Sequence, residues 1–390
     1  MNKKFKLFIF LTLSFVLTNC NNEKHSTPNP KISIINPILI TTEPIDFNKI
    51  VDTIIKIPLK VTKNSYISYI KKLLLTSDKQ IIVLNAANIL IYDSVGNFLF
   101  QVGRIGKGPG EYVSIVDICL SNDGKYLLAL DPFNKILKYS MNDGTYMAQS
   151  TPKWKEKRGS CDGICPSDKD GYYLFCSNPL KQDNFDNDFY CLSKFNWEGQ
   201  LIGENLLRKD FCFNINRFTQ ASDNSYYLRP LEGDPSLYKV KDGTLKKVID
   251  LNFGQTQIPV KYIFTFPGNP YKNIHNYIMA PFYKLPMGFH NTSEFLYFYC
   301  AGPKGVTNEF LLNRKNMNGV RWVHSDKIPF SILASDSVYF YGVFMDYLSK
   351  TDSNIQERKK NHLKEFLKQK FDLEILENNS NPEIIKIKFK

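Results

Sequence analysis

The chain is 390 residues long and carries a formal net charge of +12, an excess that is moderate for this length. Its basic residues are scattered, apart from residues 153–158 and 358–370, so they read as solvated faces rather than a nucleic-acid surface. Past the N-terminus, no apolar stretch approaches the roughly 20 residues that a membrane-spanning helix needs.

Residues 1–19 read as an export leader. Lys3, Lys4 and Lys6 precede an apolar run from Leu7 to Leu17 that is too short to span a bilayer. Leu17-Thr18-Asn19-Cys20 resembles a lipobox, the bacterial lipoprotein signal in which the cysteine thiol is acylated before cleavage. Asn19 stands where that signal usually has Gly, Ala or Ser. The resemblance implies lipidation at Cys20 and a membrane partner reached through the lipid. Residues 20–44 are then a flexible tether, polar and without periodicity at their start. Length alone would allow two domains in the remainder of the chain, but a repeat argues for a single one over residues 45–390.

Two kinds of turn alternate along that stretch. The first is polar and joins two short β-rich runs, at Ser77-Asp78-Lys79, Ser121-Asn122-Asp123-Gly124, Ser167-Asp168-Lys169-Asp170-Gly171, Ser222-Asp223-Asn224, Asn291-Thr292-Ser293-Glu294 and Ala334-Ser335-Asp336-Ser337. The second follows a third strand and carries Gly96, Gly144, Gly199, Gly243 or Gly319. Four antiparallel strands per unit, repeated, predict an all-β fold, a six-bladed β-propeller. The sixth unit lacks the second turn. Residues 353–371 there predict a helix, with Ser353 and Gln356 as a capping box and Ile355, Leu363, Phe366, Leu367 and Phe371 on one face. Residues 383–389 form one more strand, which leaves the blade one short. Residues 52–57 are an unclaimed strand, and pairing the two closes the ring without an exposed edge.

The string Gln101-Val102-Gly103-Arg104-Ile105-Gly106-Lys107-Gly108-Pro109-Gly110-Glu111-Tyr112 links blades one and two, and Leu128-Ala129-Leu130-Asp131 comes after it. Together with Asn381-Pro382 ahead of the last strand, it resembles the six-bladed β-propeller lipoproteins of Bacteroidota, which are similar to NHL-type and TolB-like propellers. The resemblance implies a fold and a place in the bacterial cell envelope, as an outer-membrane lipoprotein on either face, and no catalytic residues. Gly106-Lys107 is followed by Gly108, so the string is not a phosphate loop. Arg104, Glu111 and Tyr112 are candidate ligand contacts, since the link crosses one face near the channel. Equally, Arg104 and Glu111 would cap backbone or each other. Asp131 is either a ligand contact or a turn-capping carboxylate.

Seven cysteines lie beyond Cys20, an odd number that cannot all pair within one chain. Cys161 and Cys165 are close enough in sequence to bridge in an oxidising envelope, whereas no second close pair or neighbouring histidine completes a zinc site. Cys119, Cys176 and Cys300 lie in apolar runs and are expected as buried thiols.

Residues 255–290 are longer than a blade link and rich in aromatics, among them Tyr262, Phe264, Phe266, Tyr271, Tyr277, Phe282, Tyr283 and Phe289. Tyr271, His275 and Tyr277 are candidate contacts on this insertion, where exposed rings would suit sugars or peptide side chains. The alternative is that the rings pack the insertion onto the propeller. No HExxH, no GxSxG and no close histidine pair is present. The leading expectation is a non-catalytic binding or scaffolding propeller for a peptide, glycan or protein, with no cofactor, no metal and no nucleic acid. The second is an envelope hydrolase or lyase with carboxylates at the channel mouth.

Overall fold

Ile81-Ile82-Val83-Leu84 and Ile89-Leu90-Ile91-Tyr92 are apolar at every position, which in a strand means that both faces are covered. The structure, a computed structural model, shows what covers them. It describes residues 33–37, 40, 47–86, 88–155, 159, 161–167, 171–176, 189–208, 217–229, 236–241, 243–259, 275–277, 279–284, 286–323, 330–344, 368 and 381–390. Alternate side chains divide between two cores. Ile82, Leu84, Ile89 and Ile91 pack with Ile118, Leu127 and Leu137 on one side. Ile81, Val83, Leu90 and Tyr92 pack with Tyr341, Val343 and Ile384 on the other. Each sheet is therefore a wedge between two neighbours, and among the described residues six such sheets make a six-bladed β-propeller.

Blade 1 consists of Ile70–Leu75, Ile81–Asn85, Ile89–Tyr92 and Phe98–Val102. Blade 2 consists of Asp117–Leu120, Tyr126–Leu130, Ile136–Ser140 and Tyr146–Ser150. Blade 3 is built from Gly163–Pro166, Gly171–Phe175, Phe189–Asn196 and Leu201–Arg208. Blade 4 holds Phe218–Gln220, Tyr226–Leu228, Ser236–Lys241 and Thr244–Leu251, and blade 5 holds Met287–Asn291, Phe295–Ala301, Thr307–Asn313 and Gly319–Val323. In each blade the first strand is innermost and faces the central axis.

Blade 6 is assembled from both ends of the chain. Phe330–Ser335, Phe340–Phe344 and Glu383–Phe389 are completed by Val51–Pro58, which pairs antiparallel with the last strand from Val51↔Phe389 to Pro58↔Glu383. The closure expected from the unclaimed strand is therefore present. Ile384, Ile385 and Ile387 are fully buried by it, so the ring is sealed by apolar packing as well as by the ladder.

The glycines of the second turns do more than reverse the chain. Gly96 has φ +89° and an added Cβ would lie 2.2 Å from the Pro58 carbonyl oxygen, at the end of the outer strand of blade 6. Gly199 has φ +78° and its Cβ would lie 2.1 Å from the Thr151 carbonyl oxygen, just past the outer strand of blade 2. The carbonyls of Gly96 and Gly199 also accept from Lys60 N (2.9 Å) and Lys153 N (2.7 Å). The repeating glycine thus fastens each of these turns to the preceding blade, where a side chain would hold the two apart.

Three expectations need correction. The cystine joins Cys161 to Cys176, not to Cys165, which is a buried free thiol. In an extended segment, residues four apart are about 13 Å from each other. Antiparallel pairing instead brings the two ends of the first hairpin of blade 3 together, with Cys161 and Cys176 Cα atoms 4.0 Å apart. Ser33–Ile35, inside the expected tether, adds a fifth strand in parallel to Thr244–Leu251, because the outer edge of that strand has a ladder to offer. The aromatic insertion ends earlier than residue 290, since Met287–Asn291 is the innermost strand of blade 5. The helix expected over 353–371 lies outside the described residues except at Lys368. Cys20 and the leader also lie outside them. Among the described residues no helix is long and apolar enough to cross a membrane.

Candidate functional site

Polar side chains on innermost strands have no apolar neighbour blade to pack against and meet at the axis instead. At the end where these strands finish, they close the channel. Gln220 of blade 4 reaches the opposite wall, accepting from Leu75 N at 3.0 Å and donating to Leu75 O at 2.9 Å in blade 1. Tyr226 Oη accepts from Leu120 N at 2.9 Å. Asn291 joins Ser335 and Ser222 of the flanking blades (3.1 and 2.7 Å), and Lys79 pairs with Asp336 at 3.1 Å.

Above that floor lies a cavity of about 440 Å³, lined by blades 1, 4, 5 and 6. Its polar members include Lys71, Lys72, Gln220, Arg229, His290 and Glu309. Lys72 donates to Asp117 at 2.6 Å, and Asp117 also accepts from Ile118 N (2.9 Å) and Ile164 N (3.0 Å), so this buried carboxylate is fully engaged. Lys71 donates to Ile115 O at 3.0 Å, and burial draws its ammonium below the usual lysine value while Asp117 opposes the shift. Glu309 accepts from Tyr297 at 2.8 Å. Burial, and then the Glu309 charge, raise the Tyr297 phenol well above its ordinary value.

Arg229 comes directly after the second strand of blade 4 and hydrogen-bonds Tyr299. Burial lowers its guanidinium from its usual value, with Tyr299 opposing. His290 is pushed down to about 3, first by burial and then by the Arg229 charge, so its imidazole is neutral. Glu309 is the one carboxylate and His290 the one imidazole among the described lining residues. Among the described residues no three His, Cys, Asp or Glu side chains gather as a metal site would require.

A family model described as Domain of unknown function (DUF4934) matches residues 31–388. The chain belongs to the DUF4934 family. Among solved structures, this DUF4934 chain is similar to a protein of Bacteroides fragilis NCTC 9343 described as exported, with 13% identity and a TM-score of 0.66, over 92% of this chain and 100% of that one. At that identity the likeness concerns the fold. The WD40 repeats of RRP9 align at a TM-score of 0.42 and 11% identity, over 86% of this chain and 97% of that one, and support no argument. No curated protein matches.

Among the described residues, none of those singled out from the sequence as ligand contacts lines the DUF4934 cavity. Arg104 Nε donates to Glu111 at 2.5 Å, and Glu111 also accepts from Gly108 N at 2.7 Å. That backbone bond, then Arg104, holds the Glu111 carboxyl below its usual range. An added Cβ at Gly106 would meet the Glu111 carboxylate at 2.0 Å, so a side chain there would push Glu111 out of this arrangement. Tyr112 is buried and donates to Val102 O at 3.1 Å. Asp131 accepts from Phe133 N and Lys135 N, each at 2.8 Å, as a turn cap. His275 is exposed, Tyr277 packs with Ile258 and Ala280, and Tyr271 lies outside the described residues.

Arg229, His290 and Glu309 carried no local motif. One signal was present: the positions just ahead of each first turn are innermost. That rule marks Lys72, Gln220 and His290.

Proposed function

We propose that this DUF4934 protein is an exported binding propeller that takes a small ligand in its central cavity and does no chemistry on it. The observation that carries the reading is the closed floor. Gln220, bonded to Leu75 across the axis, bounds a cavity whose size suits one small molecule or one residue of a longer chain. The lining supports binding over hydrolysis. A glycosidase sets two carboxyl groups about 5 to 10 Å apart across the substrate, whereas Glu309 already accepts from Tyr297 and Asp117 is engaged by Lys72. Export is supported by the leader and by the likeness to a protein described as exported. Lipidation at Cys20, outer-membrane anchoring and kinship with NHL-type propellers rest on the sequence alone and complete the proposal.

The test is native mass spectrometry on the mature chain mixed with a digest of envelope glycans and peptides. The wild-type chain should retain an adduct of defined mass. Thr307→Trp, which sets a large ring at the lining, should lose it while keeping the wild-type circular dichroism spectrum. No adduct, or one retained equally by the folded variant, would refute the reading.

A further inference from the structure

Two buried polar groups on the cavity wall have hydrogen-bonding capacity that the fold leaves partly unmet. Arg229 is 7% exposed, and among the described residues its Nε and Nη1 have no hydrogen-bond partner. His290, 4% exposed on the adjacent blade, has an Nδ1 in the same condition. Both line the cavity, and they are near enough for the charge of one to act on the other. The carboxylates nearby are committed elsewhere, Asp117 to Lys72 at 2.6 Å and Glu309 to Tyr297 at 2.8 Å. A buried cation without a carboxylate partner destabilises the fold that holds it. Keeping one beside an open cavity is explained by an anion that arrives from outside.

The chemistry of the two groups narrows that anion. A guanidinium matches the planar geometry of a carboxylate and can grip both oxygens. A neutral imidazole nitrogen pairs with a hydroxyl, as donor or acceptor. Tyr69, Phe218, Tyr297 and Tyr299 supply ring faces around them. We propose that the cavity takes a hydroxy-carboxylate of the uronic-acid type, its carboxylate on the Arg229 guanidinium and its hydroxyls against the His290 side of the wall. This deepens the proposal of a binding propeller and rests on it.

Thermal unfolding of the full mature chain tests it, with D-galacturonate, D-galactose and N-acetyl-alanine as probes against wild type, Arg229→Met and Thr307→Trp. Galacturonate at about tenfold over its Kd should raise the wild-type Tm by about 2 °C, and the two other probes by clearly less. Arg229→Met should lose that shift, yet unfold at the wild-type temperature or above it when ligand-free, since it removes a buried charge whose Nε and Nη1 have unmet hydrogen bonds. A merely structural arginine would lower it. The proposal is overturned if no probe shifts the Tm, if the galacturonate shift survives Arg229→Met, or if the ligand-free variant is destabilised. Equal shifts from galactose would remove the anion and leave the cavity reading standing. Equal shifts from N-acetyl-alanine would replace the sugar acid by a peptide carboxylate. A galacturonate shift that survives Thr307→Trp would instead defeat the cavity reading itself.

Discussion

Glu111 and His290 show how differently two polar residues can be employed in one fold. Glu111 was conspicuous in the sequence because its glycine-rich surroundings form a recognisable string, and the structure explains the string: the carboxylate clamps Gly108 N and Arg104 within the crossover. His290 was inconspicuous, one histidine in an apolar run, yet it faces the cavity beside Arg229. Its titration gives a measurable consequence. The folded chain binds the His290 proton only near pH 3, whereas an unfolded chain binds it near 6.5. Between those values the unfolded state holds more protons, so the His290 contribution to stability is complete above about pH 6.5 and is lost as pH falls toward 3. At about 1.4 kcal/mol per pKa unit, wild type should lose about 3 kcal/mol from this group between about pH 7 and about pH 4. His290→Gln cannot charge, and its urea-unfolding free energy should fall less over that range by a comparable amount. Parallel pH profiles for the two proteins would show that His290 does not drive the acid loss.

Elements were legible wherever the pattern is local. Polar first turns and glycine second turns are each only a few residues long, and they divided the chain into blades because hairpin geometry demands those residue types. The pairing of cysteines was not legible, since it depends on which hairpin ends meet and not on sequence distance. Cys161 and Cys176 close a separation of 15 residues at the open ends of the first hairpin of blade 3. A cross-link of that length restricts the unfolded chain by about 3 kcal/mol. The double variant Cys161→Ser with Cys176→Ser should therefore unfold at lower urea, by about 2 to 3 kcal/mol, when both proteins are compared without reductant. Cys165 should stay unreactive toward thiol reagents in the folded protein, because it is fully buried and burial raises its thiol well above the usual value. An unchanged midpoint in the double variant would show that the cystine does not hold the hairpin.

At the scale of the whole molecule, the ring makes the site. Val51–Pro58 and Glu383–Phe389 were recognisable as two unmatched strands, so closure came from counting. The cavity could not be counted in the same way. Its walls come from blades 1, 4, 5 and 6, and Arg229, His290 and Glu309 converge only because the ring brings separate units to one axis. Gln220 crossing to Leu75 ties opposite blades together at the cavity, again through partners far apart in sequence. The most direct test is a crystal structure of the mature chain grown with D-galacturonate. The account predicts six sheets closed by the first and last strands, with the sugar in the cavity and its carboxylate hydrogen-bonded to Arg229. An open ring, or a sugar bound outside the cavity or not at all, would contradict it.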